Sequence, residues 1–350
     1  MKKEESRAFQ GLAVLMMMFH HYFLFSYYFP EGFLKHSAFV EHLARTGRMC
    51  VAIFSFVSGY GIYHVLKKSD TIRKDFGLMI RRIFALYLRL WLVIAVCVGL
   101  LNGILKQPTD WKALPLNMSA MEPSYNGTWW YVRQYLWMLL SAPFIKMVLQ
   151  GDKKKRIIAA VTAAVLLFIL AVFHKVQALN ICYEWIRSHV QMIFNLIFFE
   201  GYLAAFLQDT KKERFAAKKL PAVLPVMIML AALFIRYLTS AEAGESRQDI
   251  LIVPVFIWGM VYLFRSADLI EKFFGFFGKY SVYMWLMHAY IWFLTLVWIC
   301  EHGNALTYFL LELGLSLAAA FVLLYVEKLF VFAKSICYNR VSSIKRRKKG

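Results

Sequence analysis

The chain has 350 residues, of which 60% are hydrophobic, 17% aromatic and only 18% charged, with a mean hydropathy of +0.54. A soluble domain should be about a quarter charged, and apolar runs of about 20 residues are the length that crosses a bilayer, so composition excludes a soluble enzyme. The formal net charge of +20 does not imply nucleic acid, because Lys and Arg gather in the cytoplasmic loops of membrane proteins.

In chain order the apolar runs fall at about 8–29, 48–66, 80–103, 129–149, 157–174, 190–208, 220–238, 249–265, 280–300 and 306–333. Basic residues alternate between the connections. Lys67, Lys68, Arg73 and Lys74, then Lys153 to Arg156, then Lys211 to Lys219, mark one side, while the intervening loops hold few. The sequence therefore predicts an all-α, polytopic transmembrane helical bundle of about ten spans in the cell (plasma or inner) membrane, with both termini cytoplasmic. Residues 1–335 read as one integral-membrane domain, and 336–350 as a basic cytoplasmic tail, expected to be disordered and held at anionic lipid. The first apolar run is too long for a signal-peptide core, and no small-residue cleavage site follows it. The five cysteines show no metal spacing and are expected to be unpaired, although Cys182 and Cys300 fall near the same outer face. The longest external connection, about residues 106–127, has the size and Pro/Asn punctuation of a lid or re-entrant segment.

Ionisable side chains at membrane depth are rare and mark functional sites by default. The first span carries two adjacent histidines. At about 100° per residue, Gln10 and His21 lie about 20° apart and Arg7 and His21 about 40° apart, whereas His20 points elsewhere. His21 thus belongs to a polar stripe, and His20 is expected to bond a neighbouring helix. In "FSFVSGYGIY", Gly59 and Gly61 allow a second backbone to approach, and Ser58 can bond across helices. Arg81 and Arg82 begin the third span as anchors. Arg89, two turns deeper, needs a carboxylate, a carbonyl or a phosphorylated ligand. Trp129 and Trp130 belong either to the interfacial aromatic belt or to a sugar-stacking surface. Glu200 and His288 lie at mid-depth, and Glu200 is a candidate partner for Arg89 or for a histidine. Arg133, Arg236, Glu312 and Glu327, near span ends, are expected to be snorkelled or paired.

Five segments, taken in order, resemble the integral-membrane acyltransferase family 3: "QGLAVLMMMFHH", "FSFVSGYGIY", the "RR" at 81–82, "GTWWYVRQYLWMLLSAPFI" and "FGKYSVYMWLMHAYI". The resemblance implies a membrane-bound O-acyltransferase. Such an enzyme moves acetyl, or another acyl group, from cytoplasmic acetyl-CoA (acyl-CoA) to a hydroxyl of a cell-surface or lipid-linked glycan. It places the essential histidine at His21. Gln10 stands where the family carries a basic residue, with Arg7 one turn earlier on the same face. Ala85 stands where the family's further arginine falls, with Arg89 one turn later. Ser58 and His288 are then candidates to polarise the thioester carbonyl, and Arg7, Arg81, Arg82 and Arg89 to hold the phosphates of the co-substrate. Trp129, Trp130 and Glu200 are candidates to meet the acceptor. No metal and no nucleic-acid partner is implied. Membrane lipid and the glycan or lipid-linked saccharide acceptor are the expected partners. Without an appended hydrolase-like domain in this chain, a separate extracytoplasmic transferase could receive the acyl group. A transporter or flippase for a lipid-linked saccharide would use intramembrane His, Arg and Glu equally well. It would differ by moving its substrate without changing its mass.

Overall fold

The computed structural model describes residues 1–24, 38–104, 106–152, 191–210, 223–239, 247–302 and 304–347, with isolated positions 154, 157, 158, 161 and 221. No strand occurs among the described residues. The helices are α1 (Lys3–Leu24), α2 (Ala38–Gly47), α3 (Cys50–Leu66) and α4 (Ile72–Ile94), which continues through a π-helical stretch at Ala95–Leu101 into the short α5 (Asn102–Ile104). Next come α6 (Leu114–Met118), α7 (Trp130–Gln150), α8 (Met192–Thr210), α9 (Val223–Leu238), α10 (Asp249–Ser266), α11 (Asp268–His302) and α12 (Ala305–Arg347). Among the described residues, four helical units are long and apolar enough to cross a membrane: Ala38–Leu66, Ile72–Ile104, Asp249–Ser266 and Ala305–Phe330.

The expected span at 157–174 lies outside the described residues, apart from three isolated positions. Several boundaries move, including that of the third span, which begins at Ile72 rather than near 80. The second span begins at Ala38 rather than near 48, because the chain turns only at Arg48–Met49 between α2 and α3. The ninth begins at Asp268, one residue after α10 ends at an extended Ala267 (φ −136°, ψ 81°). The tail expected to be disordered continues α12 as far as Arg347; no Pro or Gly interrupts it before the terminal residue.

Close packing in a membrane depends on small residues, since burying apolar side chains against lipid gains little. Gly11 lies against the Phe274 carbonyl and Gly278 against the Arg7 carbonyl, so α1 and α11 touch backbone to backbone. Gly59 meets the Phe198 carbonyl and Gly201 the Phe56 carbonyl, which joins α3 to α8 in the same way. Gly61, read from the sequence as part of this contact, has nothing within 4 Å of where a Cβ would stand. It lies two residues from Gly59, on a different face of the helix. The α3–α4 turn is held by Lys146 of α7. Its ammonium donates to the carbonyls of Leu66 (2.8 Å) and Ser69 (2.9 Å) and to both oxygens of the buried Asp75 (2.9 and 3.1 Å).

The connection at 106–127 folds back along α4. The Trp91 indole donates to the Met118 carbonyl (2.9 Å) and the Tyr87 hydroxyl to the Ser119 carbonyl (2.8 Å). Thirteen residues separate Trp91 from the end of α5, so the segment returns about 20 Å along the helix. Asn117, fully buried, ties the segment together by donating to Ala113 and Ser124 and accepting from the Tyr125 amide.

Candidate active site: an imidazole pair at the seam of α1 and α11

The stripe of α1 that carries Arg7 and His21 faces α11. His21 Nδ1 lies 2.7 Å from His288 Nε2, and the two rings stack with centroids 4.9 Å apart at 15°. His288 Nδ1 lies 2.7 Å from the Trp285 carbonyl oxygen one turn earlier. His288 is fully buried, whereas His21 is partly exposed. With both ring nitrogens engaged and no exposure, His288 is not placed to polarise a thioester. It braces His21 instead, which corrects the role expected for it.

The turn of α11 that carries His288 is fixed from several sides. The Leu286 carbonyl accepts from the Trp129 indole (2.9 Å) and from the Asn126 amide (3.4 Å), and the Trp285 indole donates to the Thr128 carbonyl (3.3 Å). Met287 meets the thiol of Cys97 in the π-helical stretch (3.2 Å), and Tyr290 bonds Asn102. Trp129 is therefore fully buried, with its N–H committed to α11. Its faces are closed to a sugar, contrary to the stacking role considered for it. Trp130 next to it is only partly buried, 6.0 Å from the Phe194 ring, and remains the exposed indole of the pair.

His20 turns the other way. Its Nδ1 bonds the Ala44 carbonyl of α2 at 2.8 Å, the neighbouring-helix partner that the face argument expects.

A line of aromatic and polar groups leads away from His288 toward the basic loops. Trp285 packs edge-on against Tyr131 (5.6 Å), and Tyr131 bonds Ser55 (3.2 Å) and stacks 6.4 Å from Tyr135. Tyr135 lies close enough to Ser58, Arg82 and Arg89 to feel them electrostatically. Ser58 thus faces α7, and no hydrogen bond joins it to either histidine of the pair among the described residues. Arg81 and Arg82 are exposed on α4. Arg7 is exposed at the start of α1, about 20 Å along the helix from His21, so these three cations lie away from the imidazoles.

Arg89 has a carboxylate partner, and it is Glu327. Its Nε lies 3.1 Å from both carboxylate oxygens and its Nη2 2.9 Å from one, while the Tyr283 hydroxyl donates to the other (2.9 Å). A charge compensated in this fork is a weak phosphate ligand, so the pairing counts against Arg89 as a holder of the co-substrate. Glu200, considered as the partner of Arg89 or of a histidine, bonds neither. Its helix crosses α3 at Gly201, away from α4, and its Oε2 is buried with no partner among the described residues. Arg236 is paired as expected, with the fully buried Asp249 at 2.7 Å.

Sequence reasoning missed the bracing role of Asn126 and Trp129, and the assignment of Glu327 and Tyr283 to Arg89. The "NGTWW" string was the available signal for the first, since a buried Asn before a helix start caps it. Here Asn126 Oδ1 accepts from the Thr128 amide (2.9 Å). Among the described residues, no group of three or more His, Cys, Asp or Glu side chains is arranged to hold a metal ion.

An all-helical membrane protein with an imidazole pair clamped at a helix seam, reached by a polar column from its basic end, is the class that fold and site define. Residues 5–325, nearly the whole chain, match a family model described as an acyltransferase domain. The chain belongs to acyltransferase family 3. No curated relative and no solved structure matches it.

Proposed function

We propose that this acyltransferase moves an acetyl group from acetyl-CoA in the cytoplasm to a hydroxyl of a cell-surface or lipid-linked glycan. In this reading it works as a multi-pass protein of the cell membrane, with both termini inside. The observation that carries the reading is His21: a partly exposed imidazole, bonded to a buried second histidine, at the position the family's motif marks.

In this reading the acyl-CoA phosphates rest on Arg81 and Arg82 by charge-assisted bonds, and Arg7 adds a third cation at the same end. The thioester arm runs inward along the column that ends at Trp285. His21 takes the proton from the acceptor hydroxyl as that oxygen attacks the thioester carbonyl carbon. The carbon–sulfur bond then breaks, and the sulfur leaves as the thiol with the proton returned by His21. The products are an O-acyl ester and free CoA, and no other reactant is needed. Proton transfer of this kind contributes about 10²–10⁴ in rate. The acceptor approaches from the opposite side, where the segment at 106–127 folds over α4 and Trp130 offers an indole face.

The test is mass analysis of surface glycans from cells lacking this protein, restored with the wild-type chain or with His21→Ala at equal protein level. The wild type should restore the mass of one acetyl group per modified sugar, and His21→Ala should not. Full restoration by His21→Ala would overturn the role of His21. Loss of the whole polymer from the deletion strain would point instead to movement of the saccharide across the membrane.

A further inference from the structure

We infer that His288 is a positioning residue that fixes the tautomer of His21, so that His21 keeps its proton on Nδ1 and presents its lone pair on Nε2. The inference rests on the reading of His21 as the base, but its structural half stands by itself.

The argument begins at a carbonyl. Oxygen of a peptide group can only accept, so the 2.7 Å contact to the Trp285 carbonyl requires a proton on His288 Nδ1. A neutral imidazole with Nδ1 protonated has an acceptor at Nε2. His288 is fully buried, and among the described residues none of its partners is a carboxylate, so a positive ring there is disfavoured. Its Nε2 therefore accepts, and the 2.7 Å contact to His21 Nδ1 is a bond that His21 donates. The proton order runs from His21 Nδ1 to His288 Nε2, and from His288 Nδ1 to Trp285 oxygen. His21 Nε2 then carries the lone pair that a general base needs.

The relay holds only if the Trp285 carbonyl keeps its place. Asn126 and Trp129 on the Leu286 carbonyl, with the Trp285 indole on Thr128, hold that turn of α11 from the opposite side. The "NGTWW" string thus acts on the chemistry through His288 rather than by touching substrate.

Selective nitrogen-15 labelling of histidine in the full-length protein in lipid nanodiscs reads the tautomer directly, with the His21 signals identified by their loss in His21→Gln. Wild-type His21 should show a protonated Nδ1 and a bare Nε2. His288→Gln keeps an amide oxygen to accept from His21 and should keep that tautomer. His288→Leu removes the acceptor and should move His21 toward the Nε2-protonated form. In turnover, His288→Leu should lose at least about tenfold in kcat with KM for acetyl-CoA within about twofold, since a mis-set tautomer in a comparable triad costs up to about 10⁴. His288→Gln should recover most of that loss. A wild-type His21 protonated on Nε2, or a tautomer unmoved by His288→Leu, would overturn the inference whatever the activity. The expected tautomers, combined with full acyl transfer by His21→Ala, would leave the relay standing and remove His21 from the reaction.

Discussion

The seam between α1 and α11 and the seam between α3 and α8 are closed by the same device, a reciprocal pair of glycines that lets each backbone touch the other. In each seam polar partners appear farther along the two helices. On α3 and α8 these are Tyr63 and Lys67 with Asp209, about one to two turns past the glycines, at the basic end of the bundle. The Lys67–Asp209 pair is 31% exposed on both sides, so water screens it. On α1 and α11 the partners are His21 and His288, each ten residues past its glycine, or about 15 Å, and His288 is closed off from solvent. Under the proposed function, the chemistry belongs to the seam whose polar pair is shielded from solvent, and the water-screened pair is structural.

The largest expected effect separates the two seams. His21→Ala should lower acyl transfer by about 10²–10⁴, whereas Asp209→Asn should leave turnover within about twofold and cost at most about 1 kcal/mol of stability. Equal losses in the two variants would erase the distinction. His20→Ala sharpens it further, because it removes the bond to Ala44 next to the site. It should cost about 1 kcal/mol in thermal stability and little turnover, and a loss matching that of His21→Ala would undo the facing argument.

The glycines themselves should behave alike. Gly11→Val and Gly59→Val each drive a side chain into a facing carbonyl, and overpacking of this kind costs about 1–3 kcal/mol or more. Both should lower the yield of monodisperse protein in detergent and its Tm. If only one did, the seams would not be equivalent. Trp129→Phe is milder. It keeps one aromatic ring but removes the pyrrole part of the indole with its N–H to the Leu286 carbonyl, so the lost bond costs about 1 kcal/mol and the small cavity adds to it. Kinetically it should resemble a weak His288 variant, with a lower kcat and an unchanged KM for acetyl-CoA.

These contrasts trace what the sequence could tell. Helical period placed Arg7 and His21 on one face and His20 on another, because that depends only on the 100° step within a single helix. The five ordered segments pointed to the family for a similar reason, since each is a local string. Partner identity did not follow. Arg89 lies 238 residues from Glu327, and a charge at membrane depth announces a need for a partner without naming it. Trp129 looked like an exposed indole because its string abuts an external loop. Only the return of that loop along α4 shows that it is buried against α11. The boundary of the second span moved because Arg45 and Arg48 read as the end of an apolar run. In the fold Arg45 reaches Glu41 one turn back (2.6 Å), so the helix can contain it.

Gly61 provides the smallest effect and a direct check on how far local reading extends. "SGYG" suggests two glycines serving one contact, yet their directions on α3 differ by about 200°. Gly59 meets Phe198, and Gly61 meets nothing within 4 Å. Glycine inside a helix is less favourable than alanine by about 0.5–1 kcal/mol, because it gives up more backbone freedom on folding. Gly61→Ala should therefore leave turnover unchanged and hold or slightly raise the Tm, while Gly59→Ala lowers it. A Gly61→Ala protein as damaged as Gly59→Ala would mean that a second backbone does reach this face of α3, and that the α3–α8 seam is wider than its single pair of reciprocal glycines.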